Sequence, residues 1–379
     1  MAKGFYVGVG GVARKAKPYV GIGGAARKVT KAYVGVGGTP RIVYNAEISY
    51  MGTLTGLQKA RAGIQAGANA NYAVFMGGVY GGLQTQVDCY NSTLTRSTAA
   101  DLTECTSESY GGNIGVYAWY ATAKTQGTYV GSLDAYNTSL VKSSQPFNGF
   151  NGLSDPTDID TIFYSYISMG NSSSTSYYGR TLSPSLVVGN LMSISQTQMG
   201  GRGVMMASDG RSYVVAAGGS NAALSYFRTN AVAWNASNAT AYGAISGLVI
   251  GRAFGIGCGN SRLSILGGGS VFNGYDGSVL SNLVDAYDIN LVHYSSTLPY
   301  SGGSPYSTGT VSTPDKAYIF YGGAYVSYDK ALVRSNFTPA SISRYGGSAT
   351  TFQEDKILYA GGFSSSPTTY YNNVDLYQY

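Results

Sequence analysis

One histidine, His293, stands in 379 residues. That scarcity removes most histidine-based acid–base chemistry and most histidine metal sites. Cysteine is nearly as sparse. Cys89, Cys105 and Cys258 are an odd set with no CxxC spacing. They argue against a disulfide framework or a structural zinc site and read as buried thiols. Charged residues make up only 11%. No apolar run approaches the roughly 18 residues that a membrane-spanning helix needs. Nor do the first residues read as a secretory leader: Phe5 to Ala13 is glycine-rich, and Arg14-Lys15 follow at once.

What the chain has is glycine, 54 residues, and tyrosine, 35. This mixture favours short strands and tight turns over helices. The length suits one large all-β domain or two smaller ones.

Charge divides the chain. Lys3, Arg14, Lys15, Lys17, Arg27, Lys28, Lys31 and Arg41 precede the first acidic residue, Glu47. The remainder is nearly neutral, so a basic arm (1–45) is attached to a body (46–379). The arm carries a tandem repeat: Tyr6-Val-Gly-Val-Gly-Gly-Val-Ala-Arg14, Tyr19-Val-Gly-Ile-Gly-Gly-Ala-Ala-Arg27 and Tyr33-Val-Gly-Val-Gly-Gly-Thr-Pro-Arg41. Alternation of glycine with Val or Ile predicts three short strands with a bare face, each ending in a Gly-Gly turn. Such strands cannot bury a core alone. The arm is therefore expected to dock, with Tyr6, Arg14, Tyr19, Arg27, Tyr33 and Arg41 as contact residues. The cations are regularly spaced rather than clustered, which fits an acidic protein surface better than nucleic acid. Gly8-x-Gly10-Gly11 lacks the following helix and acidic residue of a dinucleotide loop.

These tandem units resemble those at the N-termini of structural proteins of tailed phages and prophages of Gram-positive gut bacteria. The resemblance implies a virion component, assembled in the host cytoplasm and exposed on the particle, that joins other virion proteins through the arm.

The body repeats a phrase: Tyr72-Ala-Val-Phe-Met-Gly77-Gly78, a loop, then Val87-Asp88-Cys-Tyr90. It returns as Lys356-Ile-Leu-Tyr-Ala-Gly361-Gly362 and Val374-Asp375-Leu-Tyr377. Further doublets stand at Gly218-Gly219, Gly267-Gly268 and Gly322-Gly323, and degenerate copies at Gly115 to Ala121 and Ile162 to Ser168. The second half also appears at Leu133-Asp134-Ala-Tyr136, Leu186-Val187-Val188, Val232-Ala-Trp234, Val284-Asp285-Ala-Tyr287 and Val333 to Phe337. Asp88 to Asp375 spans six intervals of about 48 residues. Seven copies at this period predict a seven-bladed β-propeller. Each copy is expected to run from a Gly-rich strand such as Arg61 to Gly67, through the two halves of the phrase, to a polar strand beginning near Asn91-Ser-Thr-Leu-Thr95. Gly52-Thr-Leu-Thr55 matches Ser92-Thr-Leu-Thr95, so an N-terminal strand should complete the last blade and cover its edge.

The order is similar to the kelch repeat, although the fourth-strand tryptophan of that family is missing. Copper-dependent galactose oxidases share such a propeller, but their site needs two histidines. Sialidase-like chemistry needs a cluster of arginines; Arg180, Arg202, Arg228, Arg252 and Arg344 are available, but no spacing brings them together. No catalytic residue, metal or cofactor is expected. Asp209-Gly210 and Asp276-Gly277 read as hairpin turns, and Asn91 and Asn137 as turn residues.

What remains is surface. Loops rich in Tyr, Ser, Asn and Gly follow the second strands, so they should gather on one face. Tyr80, Tyr177, Tyr178, Tyr275, Tyr325, Tyr328 and Tyr370 are the candidate ligand-binding residues, and a host-surface glycan is the candidate ligand. The expected protein is a non-enzymatic fibre-like adhesin, with a homo-oligomer, a trimer, suiting that role. A capsid decoration protein without a specific receptor and a propeller-based glycan hydrolase are the alternatives.

Overall fold

The computed structural model describes the body at 48–105, 109–122, 130–148, 157–160, 165–169, 176–187, 192–195, 202–209, 212–220, 226–235, 240–253, 255–272, 278–299, 309–321, 324–353, 355–365 and 368–378. In the arm it describes 5–9, 12–16, 19–22, 25–28, 31–36 and 39–45, as backbone only. Two compact units are present: Met1–Ser49 with Gln378–Tyr379, and Tyr50–Tyr377. Among the described residues every regular element is a strand.

In the arm, each tandem unit is a two-stranded hairpin rather than the single strand expected. Phe5–Val9 pairs with Val12–Ala16, Tyr19–Ile22 with Ala25–Lys28, and Lys31–Val36 with Thr39–Asn45. The basic residue after each Gly-Gly lies on a return strand: Arg14 faces Val7, Arg27 faces Val20 and Arg41 faces Val34 in the register. The residue following the glycines, Val12, Ala25 or Thr39, begins a return strand instead of ending extended structure.

The larger unit holds seven four-stranded sheets among the described residues. Sheet 1 takes Gln65–Ala68, Tyr72–Met76, Val87–Asn91 and Arg96–Thr98. Sheet 2 takes Ser109–Ile114, Tyr117–Thr122, Val130–Tyr136 and Lys142–Asn148. Sheet 3 takes Thr157–Asp160, Ser165–Met169, Ser176–Leu182 and Met192–Ser195. Sheet 4 takes Arg202–Ser208, Tyr213–Ser220, Ala231–Asn235 and Ala241–Ile245. Sheet 5 takes Ile256–Gly259, Leu263–Gly267, Leu283–Asp288 and His293–Thr297. Sheet 6 takes Gly309–Ser312, Lys316–Tyr321, Ala324–Asp329 and Arg334–Asn336. Sheet 7 takes Ser348–Phe352, Lys356–Ala360, Val374–Gln378 and then, as its fourth strand, Ser49–Leu54 from the other end of the chain. Small hairpins are inserted between the second and third strands of sheet 5 (Ser270–Phe272, Ser278–Leu280) and sheet 7 (Phe363–Ser365, Thr368–Tyr370).

The first strands of successive sheets lie beside one another in chain order, and the first strand of sheet 7 lies beside that of sheet 1. Glycine is required where these inner strands meet. A Cβ on Gly67 would stand 2.0 Å from the Gly112 carbonyl oxygen. The apolar cores lie between neighbouring sheets. Ile64, Phe75 and Tyr90 of sheet 1 pack with Phe352, Leu358 and Val374 of sheet 7. Val74 and Cys89 of sheet 1 pack with Ala118, Tyr120 and Tyr136 of sheet 2. Outside sheet 3, the described second and third strands are thus largely buried on both faces, which explains why the second strands are near-continuous apolar runs. The Gly-Gly doublet ends the second strand in the left-handed region: φ is +65° and +108° at Gly77-Gly78 and again at Gly361-Gly362. In sheet 5 the doublet with positive φ is Gly268-Gly269, one residue later than expected.

Two third strands differ from the sequence reading. In sheet 6 it is Ala324–Asp329, and the segment 333–337 contains the fourth strand, Arg334–Asn336. In sheet 3 it is Ser176–Leu182, and Leu186-Val187 belong to the next turn. The Asn91-Ser-Thr-Leu-Thr95 stretch is likewise a turn, and the fourth strand begins at Arg96.

Candidate recognition surface

The Val-Asp-x-Tyr phrase is internal scaffold. Asp88, Asp285 and Asp375 are fully buried, each paired with a fully buried arginine from the segment before its own first strand. Arg61 lies 2.9 Å from Asp88, Arg252 2.5 Å from Asp285 and Arg344 2.7 Å from Asp375. Each guanidinium also donates to a second-strand carbonyl, of Phe75, Leu266 and Tyr359 respectively. The carboxylates accept further bonds from Gln58 N–H, Val249 N–H and the Ser341 hydroxyl, three residues before each arginine. Burial pulls the Arg252 guanidinium below its ordinary range, and Asp285 opposes that shift. In sheet 2 the arginine is absent, and Asp134 is satisfied by Thr103 and Ser144 instead.

The tyrosine of the phrase performs the companion task. Tyr90, Tyr136, Tyr287 and Tyr328 donate to the carbonyls of Thr55, Ala100, Ser246 and Thr297 in the connection entering each sheet. Burial, the largest cause in each case, pushes all four phenols up, so they remain protonated donors.

Several candidate residues therefore move. Tyr325 and Tyr328 are on the third strand of sheet 6 and are 2% and 0% exposed, so they are core rather than loop. Val326, two residues before Tyr328, stands where other repeats carry Asp, which hid the phrase. Tyr177 and Tyr178 also lie on a strand, the third of sheet 3, with side chains outside the described residues. Tyr275 is outside the described residues. Tyr6, Arg14, Tyr19, Arg27, Tyr33 and Arg41 all lie on hairpin strands, again described only as backbone. Arg252 and Arg344 are each engaged inside their own sheets, which separates two of the five arginines considered for a carboxylate site.

Tyr80 and Tyr370 are brought together. They come from opposite ends of the body, yet their ring centroids are 5.4 Å apart with planes at 87°. Phe363 lies 6.2 Å beyond Tyr370, and Tyr345 6.2 Å beyond Phe363. Tyr80 is 52% exposed, as is its neighbour Leu83. Backbone pairing holds both loops. Val79 and Ala62 exchange bonds, Gln84 Nε2 donates to the carbonyls of Tyr80 and Gly82, and Phe363 and Tyr345 exchange bonds. Between them runs the 55–63 connection: Leu57 N–H donates to Asn372 O, and Arg61 N–H to Tyr371 O. A row of rings thus spans the junction of sheets 1 and 7. Sequence reasoning missed Phe363 and Tyr345, because nothing in their spacing relates them to residue 80.

Comparison with family models and with curated proteins finds no match. Among the described residues no group of His, Cys, Asp and Glu is arranged to hold a metal. Cys89 and Cys258 are pushed up to about 12 by burial, which makes them poor nucleophiles.

Proposed function

We propose that the chain is a non-enzymatic virion structural protein whose seven sheets are the blades of a closed, kelch-like propeller. The basic hairpin arm fixes it to other proteins of the particle, and the propeller is displayed for host-surface glycan recognition. The observation that carries this reading is the junction of sheets 7 and 1. There Ser49–Leu54, the strand that directly follows the arm, supplies the fourth strand of the last sheet. Thr53 and Tyr50 donate to Asp375, 2.8 Å and 3.3 Å away. The adjacency of successive first strands and the apolar cores between sheets support ring closure.

Three tandem hairpins, each too small to be stable alone, support docking of the arm on another surface. Their uniformly basic charge favours an acidic surface. Deleting 1–45 should abolish incorporation into particles while leaving the body folded, as read by immunogold labelling and circular dichroism. Unchanged incorporation would overturn the anchoring role. Label on the capsid shell alone, with no glycan bound by the full chain, would favour the decoration reading. Sedimentation of the full chain tests the proposed trimer.

A further inference from the structure

We propose that the Tyr80–Tyr370 corner is a binding site for a neutral hexopyranose, stacked by its C–H face on exposed Tyr80 and half-buried Tyr370. The proposal rests on the glycan-recognition reading above and gives it a place and a ligand class.

Three observations converge. First, the rings are set at 87°, so one offers its face where the other offers an edge. Such a corner suits a rigid, saturated ring with one apolar face better than a flat aromatic ligand, which would be served by parallel rings. Second, the two loops contain no charged residue. In the sequences Val79-Tyr-Gly-Gly-Leu-Gln-Thr-Gln86 and Phe363-Ser-Ser-Ser-Pro-Thr-Thr-Tyr-Tyr-Asn-Asn373 the polar side chains are all hydroxyls and amides. Within these two loops an anionic sugar, a nucleic acid or a charged peptide would find no counter-charge, and the exposed cation of the 55–63 connection between them is Lys59. Exposed Thr368 and Thr369, on the strand that carries Tyr370, can exchange hydrogen bonds with sugar hydroxyls. Third, the site is pre-organised. The Tyr80 turn is fixed by the Gln84 amide, and the Tyr370 hairpin is fixed by Phe363–Tyr345 pairing and by the 55–63 connection. Little ordering cost then opposes binding. A single small sugar binds such an open corner weakly, so displaying many copies on one particle would supply avidity.

The test uses the full chain and saturation-transfer NMR with irradiation of the tyrosine protons. The probes are methyl β-galactopyranoside, methyl α-glucopyranoside and, as the anionic comparison, sialyllactose. The site predicts transfer to ring C–H protons of at least one neutral probe. That transfer should fall at least tenfold in Tyr80→Ala and in Tyr370→Ala but not in Tyr226→Ala, which removes an exposed tyrosine from a sheet 4 loop. Circular dichroism and an unchanged melting midpoint show that each variant is folded; Tyr80→Ser replaces any variant that is not. Neutral-sugar transfer that persists in the Tyr80→Ala/Tyr370→Ala double variant overturns this site while leaving glycan recognition elsewhere intact. Response to sialyllactose alone overturns the ligand class. No binding of any probe, or of a broad glycan array, by the wild-type chain overturns the recognition reading and this site with it.

Discussion

At the residue scale, the most informative feature is the buried Arg–Asp pair that ties the connections entering sheets 1, 5 and 7 to the third strands of those sheets. Removing one partner strands the other charge without water. Asp88→Ala should therefore cost about 3–5 kcal/mol, measured by urea denaturation, whereas a paired Arg61→Met/Asp88→Leu change should cost much less. Equal losses for the single and double variants would contradict that account. Titration gives a second residue-scale expectation. The thiols of Cys89 and Cys258 rise from an ordinary 9.0 to about 12 on folding, chiefly through burial. A raised folded value means that the unfolded thiol ionises first. The stabilisation is fully present below pH 9 and is lost as pH climbs towards 12. Urea midpoints should fall across that window, and a flat profile would show that the thiols are not buried. The pairing arginines lay in plain view in the sequence, since Arg61, Arg252 and Arg344 each precede a first strand. Their partners did not, because only folding brings the two into one sheet.

At the scale of the element, the third-to-fourth-strand turn is the repeat's most regular part. Leu94, Leu140, Leu186, Leu291 and Leu332 all adopt φ between +58° and +62°, a region that L-residues avoid. The turn is held by its first residue. Asn91, Asn137, Asp288 and Asp329 each accept two backbone N–H bonds through Oδ1, and Ser183 accepts one through its hydroxyl. Leu94, Leu140, Leu291 and Leu332 pack into the cores between sheets, which offsets the backbone strain. Leu140→Ala loses the packing and keeps the strain, while Leu140→Gly loses the packing and relieves about 1 kcal/mol of strain. The glycine variant should accordingly unfold at the higher urea concentration, opposite to the order expected on an ordinary strand. This turn also explains what the sequence reading missed. A leucine four residues after the third-strand aromatic or leucine marks sheets 3 and 6 as well, where Asp has been replaced by Arg180 or Val326. Reading the Asp alone shifted both third strands. Close approach is equally local: Gly67→Ala should lower the melting midpoint, because its Cβ would overlap the Gly112 carbonyl at 2.0 Å.

For the whole molecule, the count of repeats and the use of an N-terminal strand in the last sheet were legible because both follow from periodicity. The placement of the candidate tyrosines was only half legible. Tyr80 and Tyr370 could be chosen from loop composition, but Tyr325 and Tyr328 share that composition and are core. Only the sheet order separates tyrosines that lead into a loop from tyrosines that alternate within a strand. In the proposed ring, closure by Ser49–Leu54 joins anchor, blades and aromatic row. Amide hydrogen exchange on the intact chain tests it most directly. Closure predicts that amides of Ser49–Leu54 bonded to the neighbouring strand exchange as slowly as those of Val374–Gln378, with a sharp rise in exchange on passing back into the arm. Amides of 49–54 that exchange as fast as those of residues 1–45 would contradict it.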